Sequence, residues 1–320
     1  MQPNHIIIGL VLVAVTFFLL ARRYLRLDRR RPLPAAGWLG LAVILIAEAL
    51  LALGVKWVGI YFTPLAWTGY ILLADSLVVS LKGSSRLRRS PKMFCFLAAA
   101  SVPLWLMFEA FNLRLKNWAY IGLPSNVIAR DIGYIWAFAT IWPAIFETAD
   151  LLRALGLFSQ RGRPHKPTGR VMLAITVMAG VACVFIPALV PPRIGSYLFG
   201  LVWAGFVPLL DPLNYIGGGP SLLREWEQGS TTTLKSFLLS GLICGFIWEF
   251  WNYWAHARWI YIFPILQGWK IFEMPAPGFL GFPPFAVECF VMFEFLAAAA
   301  AWVSGARKRP ARLVSVSREV

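Results

Sequence analysis

The sequence predicts an all-α protein: a polytopic transmembrane helical bundle of about nine helices, one anchor helix followed by two parallel four-helix repeats. Three observations predict it. Hydrophobic residues make up 59% of the 320-residue chain and charged ones only 14%, more apolar surface than a soluble domain carries. Apolar runs long enough to cross ~30 Å of hydrocarbon occur nine times. A seventeen-residue stretch, moreover, is written twice, as FEAFNLRLKNWAYIGLP (Phe108 to Pro124) and as WEFWNYWAHARWIYIFP (Trp248 to Pro264).

The apolar runs lie at about 5–21, 36–54, 63–81, 94–112, 133–156, 171–191, 197–213, 236–255 and 279–303. The first has no basic residue before it and no small-residue cleavage site, and Arg22 and Arg23 follow it. It is therefore expected to be a retained anchor with its N-terminus outside, not a removed signal peptide. This gives an organisation of anchor and basic loop (1–35), membrane repeat 1 (36–156), basic linker (157–170), membrane repeat 2 (171–303) and basic tail (304–320).

Lys and Arg test the orientation. With the N-terminus outside, the segments 22–35, 82–93, 153–170, 214–235 and the tail from Arg307 face the cytoplasm and hold 23 basic residues. The opposite side holds 7: Lys56, Arg114, Lys116, Arg130, Arg193, Arg258 and Lys270. The excess follows the positive-inside rule and predicts a multi-pass protein of the cell membrane with a cytoplasmic C-terminus. It also accounts for the net charge of +15 as loop charge facing lipid headgroups rather than nucleic acid. Membrane lipid is an expected partner, and nucleic acid is not. A homo-oligomer is compatible with the sequence, which leaves subunit number open.

The duplication extends beyond its seed. Upstream, at an offset of 136, Leu65, Trp67, Gly69, Asp75, Gly83 and Ser85 answer to Leu201, Trp203, Gly205, Asp211, Gly219 and Ser221. Downstream, PAIFE (Pro143 to Glu147) answers PFAVE (Pro284 to Glu288). Matched Trp, Asp, Glu, Asn and Pro in one order are not a product of apolar composition, and they mark an internal repeat. Each repeat has an even number of spans, so both enter from the same side, related by an axis along the membrane normal. Both Glu–Asn–Trp–Tyr stretches then fall at the outer ends of helices 4 and 8.

Ionisable groups cost ~2.5–3.5 kcal/mol each at mid-helix on insertion scales. The chain nonetheless carries Glu48, Asp75, Glu109, Glu147, Asp150, Asp211, Glu249, Glu288 and Glu294 in or near spans. Six of these form three duplicated pairs, which points to function at Glu109, Glu147, Glu249 and Glu288. Interhelical hydrogen bonding is the plainer role they could play. Asn112 lies three residues after Glu109, as Asn252 does after Glu249, so each Asn shares a helix face with its acid and is expected to orient it. Pro143 and Pro284 each precede a Glu by four residues, and a kink is expected at both, freeing a carbonyl for a neutral acid to engage. Burial favours that neutral, proton-donating form. Trp118, Tyr120, Trp259 and Tyr261 are candidate substrate-binding rings together with Asn112 and Asn252; an interfacial aromatic belt is the alternative. Asp75 and Asp211, each ahead of a Gly–x–Ser turn, are expected to bond the backbone of that turn or a neighbouring Arg.

Four cysteines (Cys95, Cys183, Cys244, Cys289) sit in apolar runs without metal or disulfide spacing, and His5, His165 and His256 are scattered. No Walker or Rossmann glycine loop and no DDxxD pattern is present. No cofactor and no metal site is expected.

An acid, then W-x-Y after a short loop, then Pro with a following Glu in the next helix, occurs here in duplicate. This pattern resembles the integral-membrane lycopene cyclase domain of carotenoid biosynthesis, found as two small subunits or one tandem chain. The likeness covers about 40 residues per half. One set is Glu109, Trp118, Tyr120, Pro143 and Glu147, and the other is Glu249, Trp259, Tyr261, Pro284 and Glu288. The chain departs from the family in having one Glu four residues after Pro rather than a Pro-x-Glu-Glu doublet, and four helices per unit rather than about three. The resemblance implies a hydrophobic isoprenoid substrate, and cyclisation of a linear polyene without net redox change. An acid protonates a terminal double bond, a carbocation closes the ring, and a base removes a proton. Glu147 or Glu288 would be the acid, Glu109 or Glu249 the base or counter-charge, and Trp and Tyr faces would stabilise the cation. A hydratase-like relative, a proton-coupled transporter with duplicated halves and a scaffold subunit are the alternatives.

Overall fold

In the computed structural model, which describes residues 4–28 and 30–305, the chain is an all-α, multi-pass membrane protein. The basic tail from Arg307 lies outside the described residues. Among the described residues, nine long apolar helices follow the nine runs. They are α1 (Asn4–Leu25), α2 (Ala35–Ala52), α3 (Phe62–Lys82), α4 (Pro91–Leu115), α5 (Val127–Ala154), α6 (Arg170–Leu189), α7 (Phe199–Ile216), α8 (Thr232–Trp254) and α9 (Phe282–Val303). A 3₁₀ turn, Ala276–Gly281, leads into α9. Local chemistry sets the ends. Gly83 (φ 78°) closes α3 in a left-handed conformation that only glycine adopts without a Cβ penalty. The Asn126 side chain accepts from the Ala129 N–H to start α5.

The two halves repeat one packing scheme. In the first, α2 packs on α3, α3 on α5, and α4 on α5; in the second, α6 packs on α7, α7 on α9, and α8 on α9. A matched glycine makes the same close approach in both. A Cβ on Gly69 would come within 2.7 Å of the Gly40 carbonyl oxygen, and one on its counterpart Gly205 within 2.9 Å of Cys183 and Val184 side chains. Small residues replace the hydrophobic drive that is missing between helices in lipid. The halves are joined by α5 against α8, and by strands β1 (Trp118–Ile121) and β2 (Arg258–Tyr261), which pair antiparallel. The α1 anchor docks on α8, with Phe272 over Gly9 and His5 Nδ1 accepting from the Lys270 N–H at 3.2 Å.

At neither proline does the following glutamate engage a freed carbonyl. Among the described residues Glu147 has no hydrogen-bond partner and Glu288 accepts from the Phe206 N–H, and the two prolines sit differently in their helices. Pro143 lies inside α5, where Ser101 of α4 enters the helix ladder: its Oγ donates to the Phe138 carbonyl and accepts from the Trp142 N–H at 3.2 Å. Pro284 lies instead in the first turn of α9. Helix N–H groups there have no intrahelical partner to lose, so no carbonyl is freed and no kink forms. The difference arises because α5 runs unbroken through its proline, whereas α9 begins only two residues before Pro284.

Candidate functional site

Asn112 and Asn252 build the site by fixing the strands. Asn112 Oδ1 accepts from the backbone N–H groups of Asn117 (2.8 Å) and Trp118 (3.1 Å), and its Nδ2 donates to the Trp118 carbonyl (2.9 Å). Asn252 does the same to Trp259, accepting from its N–H at 2.9 Å and donating to its carbonyl at 2.8 Å. This corrects the expectation that each Asn orients its neighbouring acid. An Asn amide carries both a donor and an acceptor, so it satisfies both backbone groups of one extended residue, and neither Asn lines the cavity described below.

Each clamp presents its strand rings to the acid one turn back. Glu109 Oε1 accepts from Tyr120 OH (2.5 Å), Trp105 Nε1 (2.9 Å) and Trp118 Nε1 (3.2 Å). In the other half Trp259 Nε1 donates to Tyr261 OH (2.9 Å), which donates to Glu249 Oε1 (2.7 Å). Glu249 is fully buried and its Oε2 has no hydrogen-bond partner. Burial, and then the adjoining glutamate, push the hydroxyls of Tyr120 and Tyr261 well above the usual tyrosine range, so both stay protonated.

The strand register brings the two arms together. Trp118 pairs with Tyr261 and Tyr120 with Trp259, each residue facing the counterpart of its neighbour. Beneath the strands is a hollow with walls from both halves. Trp67, Trp105, Trp118, Trp203, Trp248 and Trp259 line it, with Tyr120, Tyr134, Tyr261, Phe138, Phe282 and Phe285. The indoles of Trp67 and Trp248 stand 5.0 Å apart. Tyr61, Arg130 and Gly133 also line the hollow, and on α5, which supplies Arg130 and Gly133, Ile128, Ile132 and Ile135 are exposed.

The remaining candidates are placed elsewhere. Neither Glu147 nor Glu288 lines the hollow. Glu288 is fully buried one turn past Phe285 and accepts from the Phe206 N–H at 2.8 Å, with its Oε2 unpartnered. Glu147 is fully buried with no hydrogen-bond partner on either oxygen, three residues before Asp150, which pairs with Arg86 at 2.8 Å and Arg153 at 3.3 Å. Glu109 and Glu249 also stand one layer behind the lining, but they reach it through Tyr120 and Tyr261. Asp211 behaves as expected of it, accepting from Ser221 Oγ (3.0 Å) and from the N–H groups of Leu222 (2.7 Å) and Leu223 (2.9 Å). Among the described residues no group of three His, Cys, Asp or Glu side chains could hold a metal ion.

Sequence reasoning missed much of the wall. Trp67 and Trp203 carried a signal, since they are repeat counterparts at an offset of 136. Trp105, Tyr134, Phe138 and Phe285 carried none beyond aromaticity. No family model, no curated protein and no solved structure matches the chain.

Proposed function

We propose that the chain is an integral-membrane enzyme that cyclises a linear, lipid-soluble isoprenoid by acid-initiated carbocation chemistry without net redox change. One observation carries this reading: an aromatic hollow between two repeats, with a tyrosine–glutamate pair set into each wall. The helix that supplies much of the lining, α5, also carries exposed isoleucines, so one element faces both the hollow and the acyl chains. A proton adds to a terminal carbon–carbon double bond, leaving a carbocation. The next double bond of the same chain attacks it, forming the ring bond, and loss of a proton from an adjacent carbon restores the double bond. Product and substrate are isomers. Cation–π attraction to Trp and Tyr faces is worth ~0.5–2 kcal/mol per ring, and the walls exclude water that would trap the cation as an alcohol.

The two acids divide the work. Three donors converge on Glu109, which suits it to be the counter-charge and base. Glu249, fully buried and bonded to the Tyr261 hydroxyl, suits the proton donor: Tyr261 gives its O–H proton to the substrate carbon and takes the carboxylic proton of Glu249 in its place, leaving a carboxylate. This moves the acid role away from Glu147 and Glu288, in keeping with their distance from the lining. The basic-residue distribution further supports a cell-membrane orientation with the N-terminus outside and the C-terminus cytoplasmic.

The test is a pigment profile. Cells accumulating a linear carotenoid, given this gene, are expected to form a cyclic isomer of unchanged mass that separates on chromatography. An unaltered profile across linear carotenoids of different length, with the protein present in the membrane, overturns the reading.

A further inference from the structure

The polar inventory of the hollow is one-sided. Four groups on its wall have no hydrogen-bond partner: Trp67 Nε1, Trp203 Nε1, Arg258 Nε and Thr63 Oγ1. The first three can only donate. Trp67 is fully buried, and it is the repeat counterpart of Trp203, so the same unmet donor is built into both halves. Several acceptors nearby are already engaged, and the unpartnered Glu249 Oε2 stands behind the lining. Glu109 and Glu249 receive Tyr120 and Tyr261, while the Tyr61 hydroxyl donates to the Ala129 carbonyl at 2.9 Å and Thr140 Oγ1 to the Ala137 carbonyl at 2.7 Å. Among the described residues no carboxylate forms an ion pair with Arg258, whose Nη1 donates to the Tyr253 carbonyl at 3.0 Å.

Resting on the reading of this hollow as the isoprenoid site, we infer that its substrate carries a neutral oxygen function, a carbonyl or hydroxyl, that accepts hydrogen bonds from Trp67, Trp203 or Arg258. These donors are shut off from water as well as from protein acceptors, so a pure hydrocarbon in the hollow leaves them unpaired, whereas an oxygenated chain of the same length supplies the acceptor they lack. Two of the donors are uncharged indoles set among aromatic rings, which suits a neutral oxygen better than a hydrated anion. A site built to bond such an oxygen discriminates against the analogue lacking it.

The experiment uses the full-length protein in lipid nanodiscs and two probes. One is a linear C40 polyene hydrocarbon; the other is the same polyene bearing a terminal keto or hydroxyl group. Binding is read by quenching of tryptophan fluorescence, independently of turnover. The oxygenated polyene is expected to bind at least about tenfold more tightly, and R258M is expected to narrow that preference severalfold. Equal affinity of the two probes for the unmodified protein overturns this inference while leaving the hollow an isoprenoid site. Binding of neither probe overturns both readings.

Discussion

Trp118 and Tyr261 come from opposite halves of the chain and face one another across the β1–β2 pair, as Tyr120 and Trp259 do. Antiparallel pairing of two copies of one motif puts the approximate twofold axis through the strands themselves. Each tyrosine then reaches down to the acid of its own half: Tyr120 to Glu109, and Tyr261 to Glu249. The duplication is therefore more than two bundles side by side. Its copies share a short sheet that roofs a single hollow, so neither half encloses the site alone.

That roof depends on the asparagine clamps. Asn112→Ala leaves the Trp118 N–H and carbonyl and the Asn117 N–H without their side-chain partner. Unmet buried backbone groups cost ~1–3 kcal/mol each, and Asn117 and Trp118 are both buried. N112A is expected to lower the unfolding temperature of the detergent-solubilised protein and to abolish activity. N112D keeps the acceptor but cannot donate to the Trp118 carbonyl, and should fall between the two. Unchanged thermal unfolding in N112A would show that the strand is held by other means.

The division of labour among the glutamates is separable by substitution. E249Q and E109Q are expected to reduce cyclic product by about 10²–10⁴-fold, the usual range for loss of a general acid or base. Y261F should resemble E249Q, because it removes the hydroxyl that joins Glu249 to the wall. E147Q and E288Q nearly preserve shape while both glutamates lie off the lining, so they should retain most product. The readout is chromatographic quantification of pigment against protein level. Abolition of product by E147Q or E288Q at normal protein level would return the acid role to that pair.

Much of this architecture is legible in the chain, because the bilayer restricts the choices. Backbone groups must bond internally, so an apolar run of sufficient length means a helix, and all nine helices lie where the runs put them. The repeat was readable because Glu109, Asn112, Trp118 and Tyr120 recur in order. Their local geometry was not. Spacing of three residues puts Asn112 on the face of Glu109, but it cannot say that the amide turns to a strand whose position is fixed by the opposite half. Pro284 misled for a related reason: identical spacing to a glutamate hides the fact that one helix begins where the other is already under way. The unpaired indoles of Trp67 and Trp203 were beyond reach, since a missing partner is a property of the assembled wall.

The shared crossing of the repeats offers a test of packing. Gly69 approaches Gly40 so closely that a side chain cannot be accommodated without moving a backbone carbonyl, and Gly205 meets Cys183 and Val184 only slightly less tightly. Overpacking of this kind costs ~1–3 kcal/mol. G69V is expected to lower thermal stability more than G205A, because backbone yields less readily than side chains. Equal stability of G69V and the unmodified protein in a thermal unfolding assay would show that α2 and α3 slide apart at little cost.

The ion cluster around Asp150 gives the last prediction. Asp150 sits between Arg86 at 2.8 Å and Arg153 at 3.3 Å, and these guanidiniums also lie over the rings of Phe146 and Phe237. The side chains are 15–30% exposed, so the pairs are partly screened and each is worth less than a fully buried bridge. D150N removes the shared anion while leaving two partly buried cations side by side. The expected cost is ~1–3 kcal/mol, below the 3–5 typical of a fully buried pair, and is read as a lower unfolding temperature. Because Asn keeps the shape, the loss is electrostatic and should shrink when a second substitution, R153M, relieves the repulsion. A D150N/R153M protein less stable than D150N by the full cost of R153M alone would show that the two residues act independently.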